Sequence, residues 1–227
     1  MHLCSSSLPG GLFSGIRGFI FDCDGVLVDS LGANVAYYNL YRRHFGLPPM
    51  GREEELYVHS ASNKESLDRI LPAEVRAKAE EFRLTLDYRQ VLPWLKLENS
   101  VVELLDHLRG QGFRLGVNTN RTNTMDMLLE HFGLVGIFEP VIQSSCVSRP
   151  KPSPEGVFVI LEAWGMRPQE VVFIGDSHVD EHTAKAAGVR FWAYRNESLL
   201  AELHLASFGD LLGCSGRGPA PGKPHTP

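Results

Sequence analysis

Short runs of consecutive apolar residues punctuate the chain at residues 19–21, 113–117, 171–174 and 189–194, with a weaker run at 138–142. Runs of this length, rich in Val, Ile and Phe, predict strands covered on both faces. Between them the apolar positions change to helical spacing. In VVELLDHLRG, Val101, Leu104, Leu105 and Leu108 share one face, Ser100 is placed to cap the start, and Gly110 and Gly112 mark the stop. Further helices are predicted at residues 124–132, 154–164 and 181–187. Strand–helix alternation of this kind predicts an α/β fold, a parallel sheet flanked by helices.

One stretch breaks the alternation. Residues 31–92 carry helical patterns only, in LGANVAYYNLYRRHF, GREEELYVH, NKESLDRIL and AEVRAKAEEFRLTLDYR. A strandless insertion after the first strand predicts a separate helical subdomain, so the expected division is 1–30 with 93–212 for the sheet unit and 31–92 for the helical one. Residues 213–227, GCSGRGPAPGKPHTP, are rich in Gly and Pro and have little to bury, which predicts a disordered tail.

Composition narrows the class without naming a function. At 227 residues with 43% hydrophobic and 22% charged side chains, the chain has the profile of a globular protein with a sizeable core. A net charge of -5 argues against nucleic-acid or anionic-membrane partners, which reward a basic surface. Cys4, Cys23, Cys146 and Cys214 are too scattered for a zinc pattern or a compact disulfide framework, and free thiols are expected. The apolar run near residues 12–21 lacks a preceding basic segment and leads into a strand pattern, so it does not read as a signal peptide. A cytoplasmic setting is the expectation.

The candidate chemistry lies where strands end. FIFDCDGVLVDS delivers Asp22 and Asp24 at the end of its strand; residues two apart in extended chain point to one side, so both carboxylates are placed to face one pocket. Asp and Gly also end strands for purely structural reasons, but VVFIGDSHVDEHTAKAAG repeats the pattern with Gly175, Asp176, Ser177 and Asp180. Ligands of open parallel sheets bind beyond the carboxyl ends of the strands. Two acidic clusters there suit one hard cation, and magnesium fits a site of few carboxylates, water and a phosphate. Asp180 has a second role open to it, capping the helix that follows. RLGVNTNR ends a strand with Thr119 and Asn120, donors for phosphate oxygens, and RPKPSPE holds Lys151 between two prolines as a fixed positive charge.

Together these residues resemble the four signature motifs of the haloacid dehalogenase superfamily, in order along the chain. Asp22, Asp24, Gly25 and Asp29 match the first motif, Thr119 with Asn120 the second, Lys151 the third, and Gly175, Asp176, Ser177 and Asp180 the fourth. Cys23 departs from the family's more usual aliphatic or aromatic residue and reads as packing. The resemblance is to the phosphatase type with a helical cap, the branch of phosphoglycolate phosphatases and beta-phosphoglucomutases. It implies a Rossmann-like sheet of strand order 5-4-1-2-3 with the cap inserted after the first motif, where residues 31–92 stand.

The resemblance also implies roles. Asp22 is the expected nucleophile, forming an aspartyl-phosphate, and Asp24 the general acid and base. Mg2+ would be held by Asp22, Asp176 and the backbone carbonyl of Asp24, with Asp180 acting from behind them. Thr119, Asn120 and Lys151 would grip the phosphate of a small phosphorylated metabolite, and cap positions near Asn34, Tyr38, His59 and Asn63 would choose it. The substrate's identity and the oligomeric state are not legible. A phosphosugar mutase is the nearest rival, but Ser60 and Asn63 stand where the mutase cap pattern has Gly and a phosphate-gripping Arg, and Asn34 stands at about the position where those enzymes have a catalytic cap His. Met50-Gly51 followed by Arg52, Glu53 and Glu54 argues against a phosphonatase, and the second aspartate of the first motif against a dehalogenase. An inactive binding protein on the same fold is the reading from another class, and the full acidic set argues against it.

Overall fold

The computed structural model describes residues 11–61 and 63–214, without the side chains of residues 59 and 60. In chain order the elements are β1 (Gly18–Phe21), β2 (Val28–Asp29), α1 (Leu31–His44), α2 (Arg52–Ser60), α3 (Asn63–Ile70), α4 (Ala73–Thr85), β3 (Lys96–Leu97), α5 (Val101–Gly110), β4 (Arg114–Asn118), α6 (Met125–His131), β5 (Val141–Ile142), α7 (Glu155–Trp164), β6 (Val171–Gly175), α8 (His178–Ala187), β7 (Arg190–Tyr194) and β8 (Leu203–Leu205). The chain forms two compact units, the helical one spanning Asp29–Lys96 and the sheet unit lying on either side of it in sequence. The helical unit thus starts two residues before the expected 31 and runs four beyond 92, taking in the 3-10 turn at Leu92–Trp94. Of the expected disordered tail, Gly213 and Cys214 are ordered, Cys214 donating its N–H to Leu211; the rest lies outside the described residues.

The sheet unit is an α/β fold. Its six strands run in the order β5-β4-β1-β6-β7-β8, and every pairing is parallel. Counting β1, β4, β5, β6 and β7 as first to fifth, the order read from β7 to β5 is 5-4-1-2-3, as expected. β8 is an addition to that expectation. It pairs Leu203 with Trp192 and Leu205 with Tyr194 beyond β7. Its sequence, LHL, is too short and too polar at His204 to register as an apolar run.

The core explains why the runs are strands. All four residues of β1 and all five of β6 are buried, so both faces of the sheet are covered. On one face Phe19 meets Phe113 and Trp192 edge-on at 5.2 and 5.7 Å between ring centroids, geometry that adds about 0.5–1.5 kcal/mol per pair beyond area burial. On the other, Trp164 of α7 packs against Gly18, where an added Cβ would come within 2.5 Å of its ring. The Trp164 indole donates to the Glu139 carbonyl at 2.6 Å, which fixes it there. Gly18→Ala would therefore displace the ring that closes that face.

Two helix starts differ from expectation. Ser100 does not cap α5 with its side chain: its backbone is left-handed at φ 62°, and only its carbonyl enters the helix, accepting from Leu104. α8 begins at His178 and not at 181, because Ser177 and Asp180 form a reciprocal capping box ahead of the first apolar position.

The helical unit packs α1 to α4 around Tyr38, Tyr41, Met50, Val58, Ile70, Leu71 and Ala79. Arg42 ties it together, donating to Glu54 at 2.9 Å and to the Ile70 carbonyl at 3.1 Å. A cavity of about 630 Å3 lies along the other face of α1, between Val35, Ala36 and Leu40 and the Val91 and Trp94 side chains. Among the described residues no helix is long and apolar enough to cross a membrane.

Candidate active site

Strand register builds the site. Phe21 of β1 pairs with Val117 of β4 on one side and Ile174 of β6 on the other, so all three strands end together. The residue after each strand is Asp22, Thr119 and Asp176 respectively. The Asp22 N–H still donates to the Ile174 carbonyl at 2.9 Å, and that of Thr119 to Ile142 at 2.9 Å, so the sheet ladder holds both backbones. Two glycines make room. Gly25 lies at φ +77°, and a Cβ there would come within 2.1 Å of the Asp176 carboxylate; a Cβ on Gly175 would come within 2.3 Å of Asp180.

Lys151 is the electrostatic centre. Its ammonium is buried and donates to Asp22 Oδ1 and Asp180 Oδ1, both at 2.6 Å. Burial opposes its charge, but the attraction of Asp22 and Asp180 outweighs that, and the net shift is upward. Asp180 uses its other oxygen to accept from the Ser177 hydroxyl at 2.5 Å and N–H at 3.2 Å. Burial pushes the Asp22 carboxyl up to about 8, with Lys151 pulling it down and Asp180 adding to the rise. Asp176 is pushed up to about 7 by burial and then by Asp180, against Lys151. Cys23 is fully buried and its thiol is pushed up by burial and by Asp24, which leaves it inert, a packing residue.

One ammonium does not balance these carboxylates. Oxygens of Asp22, Asp176 and Asp180 all lie within 4.8 Å of one another, an acidic cluster able to hold a metal ion. The donor set is all oxygen, the choice of a hard divalent cation, and such a charge offsets the crowding that lifts Asp22 and Asp176.

The other sequence-predicted residues are placed as follows. Thr119 is buried, and its hydroxyl accepts the Arg121 N–H at 3.2 Å. Asn120 is exposed and donates to the Lys151 carbonyl at 3.1 Å, steadying the loop that carries the ammonium. Asp29 caps the helical unit, its carboxylate accepting the Leu31 N–H at 3.0 Å. Asn34 is half-buried on α1, and Asn63 opens α3 with its amide donating to the Tyr38 hydroxyl at 3.4 Å. The His59 side chain lies outside the described residues. Asp24 turns to a partner that the sequence reading passed over: Arg121 donates to both its oxygens, Nε to Oδ2 at 2.8 Å and Nη2 to Oδ1 at 2.6 Å. Its only signal was position, directly after Thr119 and Asn120. Asn196 was missed too; it donates to the Asp176 carbonyl at 2.8 Å.

Comparison with known proteins agrees with this geometry. Residues 19–194 match the family described as haloacid dehalogenase-like hydrolase. A phosphoglycolate phosphatase of Salmonella typhimurium is 30% identical, the match covering 93% of this chain and 94% of the relative. The phosphoglycolate phosphatase of Escherichia coli K12 is 29% identical over 78% of this chain and 80% of its own. The crystal structure of a HAD-superfamily hydrolase, subfamily IA, variant 1, from Geobacter sulfurreducens superposes with a TM-score of 0.79 at 38% identity, covering 88% of this chain and 97% of that one.

Proposed function

The chain belongs to the haloacid dehalogenase-like hydrolases and is an enzyme of the phosphoric monoester hydrolase type; from that premise we propose that it hydrolyses a small phosphorylated metabolite through an aspartyl-phosphate on Asp22, with Mg2+ as cofactor. The observation that carries this is the buried ammonium of Lys151 set between Asp22 and Asp180, with Asp176 beside them, at the carboxyl ends of adjacent strands. Phosphoryl transfer asks chiefly for positioning and for charge stabilisation, and this cluster supplies both.

In the first step an Asp22 oxygen attacks phosphorus, the bond to the leaving oxygen breaks, and Asp24 gives that oxygen a proton. In the second, water attacks phosphorus, Asp24 takes its proton, and the Asp22 carboxylate is released with inorganic phosphate. Lys151 opposes the burial that favours the protonated Asp22 and so eases formation of the attacking carboxylate, and it meets the phosphoryl oxygens together with Thr119; Asn120 acts through the Lys151 loop. Asp22, Asp176 and the Asp24 carbonyl would hold the cation, whose contribution when bound is to neutralise the phosphate's negative charge. Both Asp180 oxygens are engaged, by Lys151 and Ser177, which suits support of the cluster over direct ligation. Substrate choice we assign to Asn34 and Asn63 of the helical unit, and the relatives make phosphoglycolate the first candidate to assay.

The test is acid-quench trapping of labelled phosphoenzyme. Asp22→Asn should form none and turn over nothing. Asp24→Asn should still be phosphorylated by an aryl phosphate, whose leaving group needs little protonation, and should then retain label. Trapping on Asp22→Asn at the wild-type level would sink the nucleophile assignment. Hydrolysis undiminished by EDTA would sink the metal.

A further inference from the structure

Arg121 is held more firmly than an exposed arginine would be. Its N–H donates to the Thr119 hydroxyl at 3.2 Å and its carbonyl accepts from Ser144 at 2.9 Å, so its backbone is fixed on both sides. Its side chain is only 8% exposed, with Nη1 donating to Thr124 Oγ1 at 3.2 Å while Nε and Nη2 form the fork on Asp24. Asp24 differs: its side chain is 40% exposed and does not need an ion partner to stay solvated. The arginine is thus the fixed member, and it sets where the carboxylate points.

A carboxylate offers about two lone-pair directions on each oxygen. The fork occupies one on each and leaves one on each open, in a plane fixed by the guanidinium. We propose that Arg121 is the positioning residue for Asp24, holding its carboxylate in the orientation from which it gives a proton to the leaving oxygen and takes one from water. This rests on the reading of Asp24 as acid and base. The rival account is that Asp24 merely satisfies a buried arginine, and the two accounts differ in what removing Arg121 does to the chemistry. The guanidinium itself transfers no proton and acts only through the Asp24 carboxylate it holds.

The experiment uses the full chain with Mg2+, an aryl phosphate and phosphoglycolate, and compares Arg121→Ala, Arg121→Lys, Asp24→Asn and the Arg121→Ala/Asp24→Asn double variant. Arg121→Ala should lower kcat for the alkyl phosphate about a hundredfold, with a clearly smaller loss on the aryl phosphate and KM within about twofold, as for loss of one aligned proton-transfer group. Added guanidinium ion should restore part of its activity and none of that of Asp24→Asn. The double variant should be no slower than Asp24→Asn alone, because residues acting as a unit are not additive. Should Arg121→Ala fail to fold, Arg121→Lys keeps the charge without the fork and should show the same leaving-group contrast. Independent, additive losses, a loss carried by KM, or a variant faster than wild type would each overturn the proposal. If Asp24→Asn is inactive while the Arg121 variants match wild type, positioning alone fails. If Asp24→Asn turns over normally, the acid–base reading falls and this proposal with it.

Discussion

The sheet unit buries the side chains of Asp22, Asn118, Thr119, Lys151, Asp180, Glu181 and Thr183, whereas the helical unit, among the described residues, buries no charged side chain, only the hydroxyl-bearing Ser30, Tyr38, Tyr41 and Ser66. Most of the helical unit's ion pairs, such as Arg69–Glu53, sit at its surface, and Arg42–Glu54, its best-shielded pair, still leaves Glu54 27% exposed. Burying charge is costly unless the partners are well matched, and surface pairs contribute little. The contrast separates two uses of charge. In the helical unit it decorates a fold held by aromatic packing, while at the strand ends it is concentrated in a way that folding alone does not call for, as expected where a site overrides local rules.

The largest effect that would break this contrast is at Lys151. Lys151→Met should abolish hydrolysis and, by leaving Asp22 and Asp180 without their cation, destabilise the metal-free protein by about 3–5 kcal/mol; denaturant unfolding in EDTA reads the second part. Saturating magnesium should recover much of that stability but not the activity. A variant as stable as wild type without metal would mean the buried charges are not coupled as the distances imply.

Next is the cation itself. Asp176→Asn should weaken magnesium activation, seen as a rise in the metal concentration for half-maximal rate of at least about tenfold, with the fold unchanged by circular dichroism. In the helical unit, Arg42→Ala removes bonds to Glu54 and Ile70 and should cost about 1–3 kcal/mol of stability while kcat per folded molecule stays within about twofold. A loss of kcat as deep as that of Asp176→Asn would erase the distinction between the units.

The smallest effect is a slope. Asp22 and Asp176 have folded-state values of about 8 and 7, raised above the ordinary carboxylate range. The folded state therefore holds protons that the unfolded chain releases. Their contribution to stability is complete below about pH 4 and is lost as pH rises through 7 to 8. In EDTA, the Tm should fall over that window more steeply for wild type than for Asp176→Asn, by about 2–4 °C. Identical slopes would remove Asp176 from the titrating set.

Legibility in the sequence followed the same division of labour. Strands and their acidic ends could be read because apolar runs and the residues after them are adjacent in the chain; Asp22, Asp176 and Thr119 needed no long-range knowledge. β8 left no mark, since LHL draws its stability from pairing with β7. The start of α8 was hidden because a capping box precedes any apolar periodicity, and Ser100 misled because a serine before a helix caps only in an extended backbone, not at φ 62°. Arg121 was hidden for a deeper reason. Whether an arginine is buried or solvated depends on its partner, and Asp24 is 97 residues away in the chain.

Gly25 and Gly175 carry no functional group, yet an added methyl would run into the Asp176 carboxylate at one and the Asp180 side chain at the other. In a saturation library scored for growth or activity, both positions should tolerate no replacement, including alanine, and so look as essential as Asp22. A reader of such a map who equated intolerance with chemistry would assign them a part in the reaction. What selection would be guarding there is empty volume: the space that lets the carboxylates approach.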